Sequence, residues 1–402
     1  MGITAGIVAE YNPFHKGHEF HISETRKKFG TDTTVVAVMS GDFVQRGDCA
    51  VFSKSTRAEA ACRCGADLVL ELPLPYSLAS AEPFAEGAVS VLDALGSVDV
   101  LSFGSECGNT SSIEETAEFL LSDEFSSRLK SALLKEKNFA KARAQAVRSY
   151  RADMADLLET PNNILAVEYA KANLRRNKRM ELFSVARTGS AHDEIQMVTE
   201  SLPSAKNLRE MLRKEHDLGV WDGRIPEEAL KVYRRAMESG RGPVFREDLE
   251  QGMLSRLRCL NETDIKSAPD CSGGFENRFL RAIHSSGSLK ELEEKAKDRS
   301  VSLSKVRRAV FCTALGVTKQ MLDAPAYIRV LACNEKGMQV LHESDDNIPR
   351  ITKPAAAKDL QDEIRAVFEL GAAAHDFYVL GYHRPEVMAP GEEWRTGPVI
   401  CK

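Results

Sequence analysis

The sequence predicts an α/β fold, a parallel sheet flanked by helices over residues 1–190, followed by a mainly helical region over 191–402 with a small mixed terminal part. Three observations carry this. The first 110 residues repeat a short apolar run, a polar or glycine-bearing loop and a segment of helical spacing, which is the rhythm of βαβ units. The apolar runs are nearly continuous and rich in β-branched residues, as strands buried on both faces require. Beyond Ala191 the periodicity is helical, punctuated by Pro203, Pro226, Pro243, Pro269 and Pro325.

Residues 3–9, 34–39, 67–72 and 98–103 read as the strands, and residues 14–29, 55–64 and 77–95 as the helices between them. Pro161 opens a further helix, since proline suits a first helical position, and residues 180–185 form a fifth strand. Later in the chain only residues 327–333 and 350–353 look extended. Functional loops of a parallel sheet lie beyond the carboxyl ends of its strands, here after Ala9, Met39, Leu72 and Phe103.

Composition narrows the function. With 402 residues the chain can bury a core without disulfide or metal staples. Its 54 Lys and Arg against 59 Asp and Glu give a formal charge of −5, so any contact with nucleic acid must be local. The nine cysteines are scattered without a C-x-x-C pair, which suggests a reducing compartment and no zinc motif. No leader pattern and no long uncharged run is present, so a cytoplasmic protein without a membrane partner is expected.

The chemistry concentrates in Glu10-Tyr11-Asn12-Pro13-Phe14-His15-Lys16-Gly17-His18, directly after the first strand. His15 and His18, three apart, share one face of an opening helical turn. Gly17 between them would let a nucleotide approach the backbone, and the helix amino end offers N–H groups to phosphate. Imidazoles placed there stabilise charge on a pyrophosphate leaving group. A zinc site through His15, His18 and His21 fits poorly, because the third ring lies too far around the helix. Arg46, Lys54 and Arg57, on and after the glycine loop following the second strand, are candidate phosphate contacts. Gly104, at the end of the fourth strand, would let an adenine or ribose lie close. Two basic stretches offer an RNA surface. Residues 126–151 carry eight Lys or Arg against Glu136, and residues 171–179 carry five and no acid. Lys135, Lys141, Arg143, Arg148, Arg175 and Arg176 are the expected backbone contacts.

The motifs EYNPFHKGH, SGDFVQRG, LELP, FGSE, PNNILAVEYAKA and ARTGSAHDE, in this order, resemble those of the tRNA(Met) cytidine acetate ligases, strongly over the first 200 residues. The resemblance implies a Rossmann-like HxGH nucleotidyltransferase domain that uses ATP and free acetate to make acetyl-adenylate; Mg²⁺ bridging the phosphate oxygens is expected with the ATP. The acetyl group would then pass to N4 of the wobble cytidine of elongator tRNA(Met). It implies ATP contacts along Ile7, Val8, Ala9, Glu10, Tyr11, Asn12, Pro13, Phe14, His15, Lys16, Gly17, His18, Glu19 and Phe20, at Gly104, at one of Asn162 and Asn163, and at Ala186 and Arg187. His15 and His18 would be the catalytic pair. Two other readings of the HxGH loop are an adenylyl- or cytidylyltransferase acting on a small metabolite and a non-catalytic RNA-binding module.

Overall fold

The computed structural model describes residues 2–136, 139–186, 203–324, 326–344 and 348–402. No helix among them is long and apolar enough to cross a membrane. The strands of the first half are β1 (Thr4–Ala9), β2 (Thr34–Ser40), a two-residue hairpin β3 (Phe43–Val44) and β4 (Asp48–Cys49), then β5 (Leu68–Leu72), β6 (Val100–Ser105) and β7 (Glu181–Ala186). Helices α1 (Lys16–Phe29), α2 (Lys54–Arg63), α3 (Leu74–Ser77) and α4 (Ala81–Ala94) connect them. Between β6 and β7 run α5 (Thr110–Leu121), α6 (Asp123–Leu133), α7 (Phe139–Arg148), α8 (Ala152–Leu157) and α9 (Pro161–Arg175).

All five strands expected early in the sequence form, and they pair in the order β5-β2-β1-β6-β7, all parallel. The helix expected over 77–95 forms as α4, which starts at Ala81, and the short α3 precedes it; proline stands at the start of α3 and of α9. Buried Val, Leu and Ile on the strands pack against Phe84, Ala88, Val91 and Leu92 of α4 on one face, while Ile22 of α1 and Ala58 and Ala61 of α2 cover the other.

The later chain contributes α10 (Ala205–Glu215), α11 (Glu227–Glu238), α12 (Glu250–Arg258), α13 (Glu262–Ser267), α14 (Phe275–Ser285), α15 (Leu289–Ala296) and α16 (Leu303–Leu315). Then come β8 (Ile328–Cys333), α17 (Glu335–Glu343), β9 (Arg350–Ile351), α18 (Asp362–Tyr378) and β10 (Val399–Ile400). This half does not stand apart. β8 adds antiparallel to β5, and β9 and β10 pair with β8, so the sheet crosses the division expected at 190/191. Trp221 and Tyr233 likewise pack in one cluster with Ile7, Phe14 and Phe52.

Candidate active site

β1 delivers its carboxyl end into a loop fixed from several sides. Tyr11 takes a left-handed backbone (φ 45), a conformation that costs energy in a bulky residue. Val51 N donates to Asn12 Oδ1 (2.9 Å), Arg209 of α10 donates to the Asn12 carbonyl (2.8 Å), and Phe14 N donates to the Tyr233 hydroxyl (2.9 Å). The loop therefore rests on the later helices as well as on the sheet.

His15 is the N-cap of α1. Its Nδ1 accepts from Gly17 N (2.9 Å), and His18 Nδ1 accepts from His15 N (3.2 Å), a reciprocal capping pair built from two imidazoles. The rings stack with centroids 3.9 Å apart. A neutral imidazole whose Nδ1 accepts carries its proton on Nε2, so each ring has an N–H donor opposite the cap. A Cβ on Gly17 would lie 2.7 Å from His15 Cε1 and 3.0 Å from Nδ1, so the glycine makes room for the His15 ring.

A cavity of about 580 Å³ opens over this turn. First-turn residues of five helices line it: His18 of α1, Ala81 of α4, Pro161 and Asn162 of α9, Ala205 of α10 and Ser304 of α16. Each amino end carries unsatisfied N–H groups and a partial positive charge, so together they favour an anion. Arg46 and Arg308 add full positive charge, and Phe103 and Gly104 supply a flat wall at the end of β6. Gly47 brings the two arginines together. A Cβ on it would lie 2.5 Å from the backbone of Arg307 and Arg308, so only glycine lets the hairpin loop close on α16.

Of the residues expected at the site, Ile7, Val8, Ala9, Glu10, Tyr11, Asn12, His18, Gly104, Asn162 and Arg46 line the cavity. The Asn pair separates cleanly. Asn163 is buried and its Oδ1 accepts from the amides of Glu106 (3.0 Å) and Cys107 (3.1 Å), whereas Asn162 faces the cavity with its Nδ2 on Glu106 (2.6 Å). The Glu106 carboxylate caps α9; burial pushes its pKa up, and hydrogen bonds from Asn162 and Asn163 outweigh that and hold it below the ordinary value. Ala186 ends β7 opposite Ser105 and is outside the lining, and Arg187 lies outside the described residues. Tyr169, Ser304 and Arg308 were not expected. Nothing local in a sequence marks α16 as a wall of a site formed by β1.

Two expected phosphate contacts must be corrected. Arg57 is fully buried, and its guanidinium donates to the carbonyls of Phe52 (2.9 Å), Glu10 (2.6 Å), Ser40 (3.1 Å) and Gly41. Lys54 is buried between Glu71 and Glu393, 2.8 Å from each. Burial opposes its charge, but Glu393 and Glu71 outweigh that and raise its pKa. Both cations hold the loop after β2 in place, joined by Asp42, which accepts from Lys54 N (2.7 Å) and binds His375 of α18 (2.8 Å).

The basic stretches also change character in three dimensions. Arg175 meets Glu82 (2.9 Å) and Glu86 (3.3 Å), Arg176 meets Glu86 (2.7 Å), Arg148 meets Asp156 (2.7 Å) and Glu159 (3.2 Å), and Arg143 lies 3.6 Å from Glu168. Acids from α4, α8 and α9 and the α8–α9 turn therefore neutralise runs that have almost none in sequence. Lys135 and Lys141 remain at the surface.

Tyr11 and Asn12 stand out among the lining residues. The Tyr11 hydroxyl and Asn12 Nδ2 are buried and have no hydrogen-bond partner among the described residues, although both residues line the cavity. Burial raises the Tyr11 pKa, so the phenol stays a donor.

The family model described as HIGH Nucleotidyl Transferase matches residues 1–390. The tRNA(Met) cytidine acetate ligase of Acetivibrio thermocellus is 33% identical, with 98% of this chain and 99% of that protein covered. The enzyme of the same name from Caldicellulosiruptor saccharolyticus is 37% identical over 94% of each chain. The crystal structure of Thermotoga maritima TmcAL bound with alpha-thio ATP superposes with a TM-score of 0.90 at 30% identity, covering 99% of both chains. Matched across nearly its whole length in sequence and in fold, the chain belongs to the HIGH nucleotidyl transferases and, within them, to the tRNA(Met) cytidine acetate ligases.

Proposed function

We propose that the protein activates acetate with ATP, releasing pyrophosphate, and transfers the acetyl group to N4 of the wobble cytidine of elongator tRNA(Met). The observation that carries this reading is His18, stacked on His15 and lining a cavity on which five helix amino ends converge. Adenosine would lie on Gly104 and Asn162, with the triphosphate over the start of α1. The Nε2–H groups of His15 and His18 then donate to phosphate oxygens and stabilise the charge that builds as pyrophosphate leaves, with Arg46 adding positive charge. The orphaned Tyr11 hydroxyl and Asn12 amide would hold the acetate carboxylate for attack on the α-phosphorus. No protein nucleophile is needed.

Among the described residues no cluster of three metal-ligating side chains occurs, and Glu10 is the lone carboxylate of the cavity. Mg²⁺ would therefore enter with the nucleotide, as part of the co-substrate. Residues 1–190 would supply the ATP chemistry, and the region after 191 would help hold tRNA and also complete the cavity wall. Exposed ion pairs contribute about 0–1 kcal/mol, so RNA phosphates can displace the acids that now meet Arg148 and Arg175. The tRNA substrate would put this work in the cytoplasm.

ATP–pyrophosphate exchange screened over small carboxylates, followed by nucleoside analysis of tRNA, tests the reading. Acetate-dependent exchange with formation of N4-acetylcytidine is expected. Exchange only with a phosphorylated metabolite would identify a small-molecule nucleotidyltransferase, and RNA binding without exchange a non-catalytic module.

A further inference from the structure

Glu10 is out of character with its surroundings. The cavity's other fully charged lining side chains are Arg46 and Arg308, and the helix amino ends around it also favour anions. A carboxylate there repels both ATP and acetate. Nor does a salt bridge explain it. Oε1 accepts from Gln45 N (3.0 Å), while Oε2 has no hydrogen-bond partner among the described residues. Three arginines face Glu10 from different elements: Arg46 from the hairpin loop, Arg57 from α2 and Arg209 from α10. None closes an ion pair with it, and Arg57 and Arg209 spend their hydrogen bonds on backbone carbonyls. Tyr169 of α9 lines the same cavity and feels the Glu10 charge.

We propose that Glu10 receives the N4 amino group of the target cytidine, accepting a hydrogen bond from it on Oε2 and taking its proton as N4 attacks the acetyl-adenylate. This rests on the reaction proposed above. Carboxylates are the acceptors that suit the N4 amine of cytosine, so one group serves recognition and catalysis. The amine needs help because its lone pair is delocalised into the ring. In the step, the N4 lone pair forms a bond to the acetyl carbon, and the bond from that carbon to the phosphate oxygen breaks. AMP leaves with the electron pair, and one N4 proton passes to Glu10. Nothing is oxidised or reduced. Burial raises the Glu10 pKa more than Arg209, the Gln45 amide, Arg46 and Arg57 together lower it, which makes the carboxylate a better proton acceptor than one in water.

The test is single-turnover acetyl transfer from enzyme-bound acetyl-adenylate to tRNA, measured against pH for the parent and for Glu10→Gln. The Gln side-chain oxygen can still accept from Gln45 N. The parent rate should climb about tenfold per pH unit below the folded Glu10 pKa and then level. The variant should lose that limb, and its plateau should fall by roughly 10²–10⁴. Acetate-dependent pyrophosphate exchange in the same variant reports on adenylation, and transfer must fall at least about thirtyfold further than exchange. Equal losses in both steps, as from a role in holding the nucleotide or its Mg²⁺, would overturn the proposal. So would a variant that keeps the limb. If Glu10→Gln does not fold, the parent decides, since a transfer rate flat with pH is equally fatal. Failure of the underlying reaction looks different, because the parent itself would then make no N4-acetylcytidine.

Discussion

Replacing Gly17 by Ala isolates what the HxGH glycine does. Its φ is not in the left-handed region, so Ala meets no backbone strain, and in this first turn a Gly→Ala change by itself stabilises by at most the about 0.5–1 kcal/mol of a mid-helix position. The added methyl, however, would sit 2.7 Å from His15 Cε1, and the ring must swing away. That breaks the 2.9 Å bond from Gly17 N and the stack on His18. Losing a side-chain N-cap costs about 1 kcal/mol, so the two stability terms nearly cancel and the melting temperature should hardly move. Catalysis has no compensating term. A misplaced donor to the leaving charge should lower acetate-dependent pyrophosphate exchange by roughly 10²–10³, or about 2.7–4 kcal/mol of barrier. A thermal melt and the exchange assay on one preparation read both numbers. Exchange within about threefold of the parent, less than 1 kcal/mol of barrier, would refute the idea that Gly17 exists to seat His15.

Tyr11→Phe should raise the KM for acetate by roughly tenfold or more, because a hydrogen bond to a charged group is worth about 1.5–3 kcal/mol, while the melting point of the ligand-free protein stays level or rises as an orphaned hydroxyl is removed; an unchanged KM would place acetate elsewhere. Lys54→Met should cost about 3–5 kcal/mol in denaturant unfolding, since Glu71 and Glu393 are left buried without their cation, with the KM for ATP unaltered; a raised KM in a stable variant would restore Lys54 to the phosphate site. His375 should destabilise the fold on the alkaline side. Burial opposes its charge, yet Asp42 outweighs that and lifts its pKa from 6.5 to about 10, so its contribution is complete below pH 6.5 and is lost as pH rises through 10. Melting temperatures should fall across that interval in the parent and less steeply in His375→Gln, and equal slopes would refute the pairing.

Sequence alone determined what depends on short stretches of chain. Continuous apolar runs fix β1, β2, β5, β6 and β7, Pro161 fixes the start of α9, and the spacing of His15 and His18 fixes them on one turn, because each is decided within a few residues. Tertiary structure decided whatever joins distant stretches. Lys54 and Arg57 look like phosphate ligands beside a glycine loop, but one of the two acids that hold Lys54 is Glu393, more than 300 residues away in the chain. Arg175 and Arg176 look like an acid-free patch until α9 packs on α4 and brings Glu82 and Glu86 across. Asn162 and Asn163 differ only in which way the first turn of α9 faces, and Ser304 and Arg308 join the site only because Gly47 lets α16 close on the hairpin. The physical reason is common to all four. Periodicity and capping act along the chain, whereas the charge, burial and orientation of a side chain are set by partners whose position along the chain nothing local encodes.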